Sequence, residues 1–96
     1  ILGNKVNLGA GTKLANFKLD GGLVKVVLDG LSVLTNLRKF GAVIGDGCSL
    51  GCNTVTNPGT LLGKNVLCYP CTNLGGTIEP NSKVQPNTKN EIQKIL

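Results

Sequence analysis

Residues 44–87 read IGDGCSLGCNTVTNPGTLLGKNVLCYPCTNLGGTIEPNSKVQPN, and within them a bulky residue returns every six positions. The series of bulky residues is Ile44, Leu50, Thr56, Leu62, Cys68, Leu74, Pro80 and Pro86. The residue that follows each is Gly or Asn, apart from Tyr69, and a small or β-branched residue stands two positions before each later member. The same pattern opens the chain at Leu2, Leu8 and Leu14.

A period of six suits neither an amphipathic helix nor a simple hairpin meander. It is typical of a chain that makes a short strand, turns and repeats, so that three strands close a triangular coil of about eighteen residues. Ile44 then stacks on Leu62 and Leu50 on Cys68, while Gly or Asn supplies the positive φ of the turns. The sequence therefore predicts an all-β fold over residues 1–87, a left-handed parallel β-helix built from hexapeptide repeats. A sandwich of alternating strands is the alternative, but it gives no reason for the fixed spacing of the glycines.

The repeat breaks between Phe17 and Lys39. Residues 23–28 and 31–35 are two apolar runs that flank Asp29-Gly30, a dipeptide typical of two-residue hairpin turns. We therefore expect a β-hairpin arm over about residues 18–37 that leaves the coil at one corner, a place that usually carries a site or an interface. At the other end, residues 88–91 fit a capping box, which predicts a short helix over 88–96 covering the last coil.

Composition restricts the class of protein. The chain has 96 residues, which suits a single domain, and only 3% of them are aromatic. No apolar run is long enough to span a bilayer and no signal peptide precedes the repeat, so we expect a cytoplasmic protein that does not bind membranes. The absence of Met, together with an apolar first coil, leads us to expect a longer parent with an upstream domain and further coils.

The formal net charge of +5 suits either ordinary solubility or an anionic ligand such as a sugar phosphate. The basic residues are scattered and are not interleaved with aromatic residues, so we expect no nucleic-acid partner. The chain also has no His, which removes the commonest general base at neutral pH.

Four cysteines, Cys48, Cys52, Cys68 and Cys71, have a spacing that resembles a zinc site. The hexapeptide register opposes this interpretation, because it points Cys48 and Cys68 into the core and stacks Cys52 on Pro70. We therefore expect no metal in this domain and no disulfide, and the absence of a secretory signal favours a reducing compartment.

Three stretches carry a more specific pattern: residues 6–12 (VNLGAGT), 15–17 (ANF) and 38–46 (RKFGAVIGD). They resemble the C-terminal left-handed β-helix domain of bifunctional sugar-1-phosphate nucleotidyltransferase/acetyltransferases. The bacterial relative is the N-acetylglucosamine-1-phosphate uridyltransferase/glucosamine-1-phosphate acetyltransferase, and the arm is more similar to archaeal-type members. The resemblance covers about residues 2–87.

The resemblance implies a homotrimer that binds acetyl-CoA and an amino-sugar phosphate between neighbouring β-helices. It implies that Asn7 contacts the sugar phosphate and that Lys39 lies at the substrate end of the same cleft. The residues it implies for the acetyl-CoA site are Ala10, Asn16, Phe17, Cys52 and Pro70. Structural roles remain open, because Asn7 and Asn16 also suit left-handed corner positions and Lys39 also suits a solvated charge.

Two departures from the family's pattern leave two functions open. The family's acetyl-transfer base is a histidine upstream of residues 6–12, and Asn87 stands where the family often has an arginine for a CoA phosphate. The first function is that of a CoA-dependent acetyltransferase domain of a sugar-nucleotide enzyme. The second is that of a non-catalytic β-helix that trimerises or regulates a sugar-1-phosphate nucleotidyltransferase.

Overall fold

The computed structural model describes residues 1–86, which form twelve short strands and contain no helix. In chain order the strands are β1 (Asn7–Leu8), β2 (Lys13–Leu14), β3 (Lys25–Leu28), β4 (Leu31–Leu34), β5 (Ala42–Ile44), β6 (Ser49–Leu50), β7 (Val55–Thr56), β8 (Thr60–Leu62), β9 (Leu67–Cys68), β10 (Asn73–Leu74), β11 (Thr77–Ile78) and β12 (Lys83–Val84). The predicted helix over 88–96, and Asn87, lie outside the described residues.

Ten of these strands form the three faces of a left-handed parallel β-helix, as the sequence predicts. The first face is the sheet β1-β6-β9-β12, the second is β2-β7-β10 and the third is β5-β8-β11, and every pair in them is parallel. Ile44 pairs with Leu62 and Leu50 with Cys68, which confirms the predicted stacking. Period-two alternation points the second residue of each two-residue strand into the interior.

Aliphatic and thiol side chains fill the interior of the coil. The buried cluster consists of Ala42, Ile44, Cys48, Leu50, Leu62, Val66, Cys68 and Leu74. Both Cys48 and Cys68 therefore act as small apolar residues, as their register predicts. No aromatic side chain belongs to this cluster, so the narrow interior is filled by stacked layers of medium-sized residues.

Hydroxyl side chains close the corners of the coil. The Oγ1 atoms of Thr12, Thr54 and Thr72 each donate to the carbonyl oxygen three residues earlier, at 2.7, 2.8 and 2.7 Å. These bonds satisfy carbonyl groups that the turning backbone leaves without a ladder partner. The small residue of the hexapeptide thus stabilises the turn by a hydrogen bond and also packs in the core.

The predicted reason for the glycines is wrong at most corners. Gly45, Gly51 and Gly63, which follow the bulky residue, do not have positive φ; a Cβ on Gly51 would lie 2.5 Å from the nitrogen of Pro70 on the next coil. These glycines are needed because neighbouring coils approach closely. Positive φ occurs two residues later, as at Asn53 and Asn65 (58° and 57°).

The repeat slips after Leu74, so the prediction of an unbroken period from Ile44 to Pro86 is also wrong. Ile78 pairs with Leu62 and Val84 with Cys68, a step of sixteen residues in place of eighteen. Gly75 and Gly76 make a shorter corner here, and Pro80 is exposed because it stands at a corner and not inside the coil.

The hairpin arm forms as predicted but does not project freely. Antiparallel β3 and β4 are joined by Asp29 and Gly30, both with positive φ (50° and 77°). The arm leaves the corner between the second and third faces and folds back along the third face, where β3 contacts β8 and β11. Val24 at its base is fully buried, and the hydroxyl of Thr77 donates to the carbonyl of Val27.

Candidate functional site

A cleft of about 410 Å³ lies on the first face, beside the corner that leads to the second face. We call this corner the first corner; it contains residues 9–12, 51–54 and 69–72 on successive coils. Its lining includes the side chains of Asn7, Ser49, Cys52, Leu67, Tyr69 and Pro70. They come from three coils, because each coil contributes one strand to the first face and one turn to the corner.

One end of the cleft is polar and the other is apolar. Asn7 and Ser49 pair in the parallel ladder, and the side-chain amide of Asn7 donates to Ser49 Oγ at 3.3 Å. Leu67 and Tyr69, on the next coil, are 42% and 45% exposed and form the apolar wall together with Pro70. An elongated ligand with one polar end and one apolar arm matches this division.

Ala10, Cys52 and Pro70 occupy equivalent positions of the first corner on successive coils. Backbone hydrogen bonds join these positions from coil to coil. The N–H of Asn53 donates to the carbonyl of Ala10 at 2.9 Å, and the N–H of Cys71 donates to the carbonyl of Cys52 at 2.9 Å. Cys52 is exposed at this corner, and both Cys52 and Pro70 line the cleft. The structure thus brings Asn7, Cys52 and Pro70 into one cleft, with Ala10 on the coil below.

The remaining predicted residues form a second group at the base of the arm, which we call the arm-base group. Phe17 and Lys39 form an isolated antiparallel bridge, and the N–H of Phe40 donates to the carbonyl of Asn16 at 2.9 Å. This bridge lies at the corner between the second and third faces, so the second face separates it from the cleft within one chain. Phe17 is half exposed there.

Sequence reasoning missed Ser49, Leu67 and Tyr69 in the cleft, as well as Lys83, the ladder partner of Leu67. Ser49, Leu67 and Lys83 stand in one outward column of the first face, since Ser49 pairs with Leu67 and Leu67 with Lys83. The available signal was the position before each stacked residue, which always points outward. The register slip hid Lys83, because an unbroken period does not align it with Leu67.

The four cysteines do not meet at one point. Cys48 and Cys68 are buried in the coil, whereas Cys52 and Cys71 are exposed at the first corner. Within residues 1–86, no group of three or more His, Cys, Asp or Glu side chains is arranged to hold a metal ion.

No acidic residue is among those that line the cleft. Asp20 accepts from the N–H of Gly22 at 2.8 Å and lies 3.6 Å from the Lys18 ammonium, and these two contacts lower the pKa of its carboxyl group. Asp20 belongs to the loop before the arm, so this contact orders that loop.

The described part of the chain contains no helix long and apolar enough to cross a bilayer.

Comparison with known proteins gives consistent relatives, although no family model matches the chain. It is 37% identical over 70 residues to a bifunctional sugar-1-phosphate nucleotidylyltransferase/acetyltransferase of Sulfurisphaera tokodaii, covering 73% of this chain and 18% of that protein. It is 34% identical over 94 residues to the bifunctional protein GlmU of Methanococcus maripaludis, covering 98% of this chain and 23% of that protein. The chain therefore spans about a fifth of the length of these relatives.

Proposed function

Because this chain belongs to the family of bifunctional sugar-1-phosphate nucleotidyltransferase/acetyltransferases, we propose that it is a domain of a sugar-nucleotide enzyme that transfers an acetyl group from acetyl-CoA to an amino-sugar phosphate. The observation that supports this proposal best is the convergence of Asn7, Cys52 and Pro70 in one cleft. These residues are far apart in the sequence, and the resemblance assigns them to the two substrates of one reaction.

The cleft suits the shape and chemistry of acetyl-CoA. The apolar wall of Leu67, Tyr69 and Pro70 can hold an extended pantetheine arm, and the small side chain of Cys52 leaves room at the corner. When bound, acetyl-CoA supplies an activated acetyl group on a thioester. The amide of Asn7 stands at the polar end and can hydrogen-bond a carbonyl or hydroxyl group of either substrate.

The arm-base group favours a site shared between copies of the chain. Phe17 and Lys39 are separated from the cleft by the second face, so one chain does not bring both groups to the same ligand. In a homotrimer of parallel β-helices, the arm-base group of one copy faces the first corner of the next. Lys39 then supplies a positive charge to the phosphate of the amino sugar.

The absence of histidine favours a second candidate function for the isolated chain. None of its side chains has an ordinary pKa near 7 that would suit proton removal from the sugar ammonium. A β-helix that binds CoA and trimerises its parent without transferring the acetyl group is therefore the alternative. The two functions differ in one measurement, acetylation of glucosamine-1-phosphate by the parent protein.

Both functions use soluble intracellular metabolites, so we propose the cytoplasm as the location.

Calorimetric titration of the 96-residue chain tests the proposal. We expect weak saturable binding of acetyl-CoA. Glucosamine-1-phosphate should also bind, and Lys39→Ala should weaken its affinity roughly tenfold, which corresponds to about 1.4 kcal/mol of binding free energy. Acetyl-CoA affinity should stay within about twofold in the same variant. Lys64→Ala is the matched control, because it removes one exposed positive charge from another corner. Equal effects of the two substitutions on the sugar phosphate would refute the assignment of Lys39.

A further inference from the structure

The outward side chains of the first face change in character from coil to coil. Asn7, Ser49, Leu67 and Lys83 stand side by side in this order, because ladder pairs connect each one to the next. Neighbouring strands lie about 4.8 Å apart, so Asn7 reaches Ser49 but lies roughly 14 Å from Lys83 along the sheet. Within this column, Ser49 is therefore the hydrogen-bonding neighbour of Asn7.

The contact between Asn7 and Ser49 determines which end of the Asn7 amide is available to a ligand. Asn7 Nδ2 donates to Ser49 Oγ at 3.3 Å. The oxygen of a planar amide lies on the other side of its carbon from the nitrogen, so Oδ1 is turned away from Ser49. Asn7 is exposed, and its Oδ1 accepts no hydrogen bond from the described residues. The polar end of the cleft therefore offers a free acceptor.

The backbone holds both residues firmly in place. The N–H of Asn7 donates to the carbonyl of Cys48 at 2.9 Å, and the N–H of Ser49 donates to the carbonyl of Val66 at 2.9 Å. Ser49 is also half-buried, so its hydroxyl stands at a defined point beside Asn7. The bond between the two side chains then removes rotational freedom from Asn7 before a ligand arrives, which lowers the entropic cost of binding.

We propose that Ser49 is a positioning residue, which holds the amide of Asn7 so that Oδ1 accepts a hydrogen bond from the amino group of the sugar phosphate. The inference rests on the proposed function for the identity of the ligand, and it gives a role to a residue to which that function assigns none. An ammonium group only donates, whereas a hydroxyl group both donates and accepts. An amide whose acceptor is fixed toward the ligand therefore favours an amino sugar over its hydroxyl analogue.

The electrostatic surroundings suit an amino group that has to lose a proton before it can attack a thioester. A carboxylate would stabilise the ammonium form and raise the pKa of the amine, but none is present in the lining of the cleft. Asn7 is neutral and has no such effect. A neutral amine keeps two N–H groups, so its hydrogen bond to Oδ1 persists while its lone pair is free.

The positive charge of this face lies too far away to repel the ammonium group. Lys83 is the charged member of the column that contains Asn7, three strands from it. The separation of roughly 14 Å exceeds the screening length of about 10 Å at 0.1 M salt. Short-range hydrogen bonding by Asn7 therefore dominates the recognition of the amino group at this end of the cleft.

Calorimetric titration of the 96-residue chain with two sugar phosphates tests the role of Ser49. We expect Ser49→Ala to weaken the affinity for glucosamine-1-phosphate about fivefold, because the amide of Asn7 becomes free to rotate. The affinity for glucose-1-phosphate should fall by about twofold or less, because its hydroxyl group can pair with either end of the amide. Ser49→Thr keeps the hydroxyl group and should retain most of the affinity of the unmodified chain for the amino sugar.

A double-mutant cycle separates positioning from a general structural effect. In chains that already carry Asn7→Ala, the further substitution Ser49→Ala should change the affinity for glucosamine-1-phosphate by less than about twofold, because Ser49 acts through Asn7. Ser82→Ala is the matched control: it removes a half-buried serine hydroxyl whose partner is the carbonyl of Glu79, outside the lining of the cleft. It should leave both affinities unchanged.

The outcomes distinguish this inference from the proposed function. Equal losses for the two sugar phosphates in Ser49→Ala, or the same loss with and without Asn7, would overturn the positioning role and leave the proposed function standing. An unmodified chain that binds neither sugar phosphate would overturn the proposed function, and the inference with it. Circular dichroism of each variant checks that the coil is intact.

Discussion

Cys71 donates its backbone N–H to the carbonyl of Cys52 at 2.9 Å, yet only Cys52 lines the cleft. The two residues lie on neighbouring coils of the first corner, at adjacent positions of the turn, and both thiols are exposed. Cys48 and Cys68, in contrast, are 0% and 5% exposed in the core. The β-helix thus separates the four cysteines into an accessible pair and a protected pair.

Thiol labelling should report this separation directly. With a small aromatic disulfide reagent at neutral pH, we expect two fast-reacting thiols in the folded chain and four after denaturation, because the protected pair reacts only when the coil opens. The double variant Cys52→Ser/Cys71→Ser should lose the whole fast phase. Three or four fast thiols in the folded chain would contradict the register of residues 48–71.

Thr56 should be the residue whose replacement most readily stabilises the coil. Its Oγ1 atom is buried and is without a hydrogen-bond partner among the described residues, between the stacked Leu14 and Leu74. Thr56→Val removes the unsatisfied hydroxyl at nearly constant volume, so we expect the free energy of unfolding to rise by roughly 1 kcal/mol.

Thr54→Val is the matched control for that substitution. Thr54 is equally buried, but its hydroxyl donates to the carbonyl of Gly51 at 2.8 Å, so the same change should lower the free energy of unfolding by roughly 1 kcal/mol. Urea denaturation at one protein concentration compares the two, since the proposed assembly would make stability depend on concentration. The same sign for both variants would contradict the assigned roles of the two hydroxyl groups.

Gly59 should be required for the packing of the arm against its corner as well as for the conformation of its own turn. Gly59 and Gly76 both have positive φ, 86° and 73°, so Ala at either position pays a similar backbone cost of roughly 1–2 kcal/mol. A Cβ on Gly59 would also meet the carbonyl of Lys25 and a methyl group of Val24, whereas one on Gly76 meets nothing within 4 Å.

We therefore expect Gly59→Ala to lower the free energy of unfolding by at least about 1 kcal/mol more than Gly76→Ala. Hydrogen exchange should locate the difference, with faster exchange of the amides of Val24 and Thr35 in the Gly59 variant only. Equal destabilisation with unchanged exchange in the arm would show that the arm does not pack against this corner.

Local periodicity predicts much of this fold. The stacking of Ile44 on Leu62 and the turn at Asp29-Gly30 follow from short-range patterns of residue type. The register slip after Leu74 is not predicted, because Pro80 fits the continuing six-residue count and Ile78 fits a shortened count equally well. The chemistry of the two residues distinguishes the two registers: proline has no N–H for a parallel ladder, while the apolar Ile78 can fill the interior. The position of the arm on the third face depends on the burial of Val24, for which the local sequence has no signal.

The candidate site is predictable only in part, for a related reason. Stacked positions at one corner follow from the repeat, so Cys52 and Pro70 are found together once the register is known. The partners contributed by outward strand positions, Ser49 and Leu67, look like any exposed residue in the sequence. Phe17 and Lys39 belong to another corner, and only the proposed assembly would bring them beside the cleft of a second copy.

Calorimetric titration of acetyl-CoA into chains that differ only at Cys52 tests the central claim, that the first corner forms the acyl-donor cleft. Cys52→Ser keeps the side chain small and should bind acetyl-CoA within about threefold of the unmodified chain. Cys52→Trp fills the cleft and should weaken binding at least tenfold, an effect of about 1.4 kcal/mol or more, while circular dichroism confirms that the coil persists. Equal affinity of the Ser and Trp variants, or the absence of saturable heat in the unmodified chain, would contradict the account.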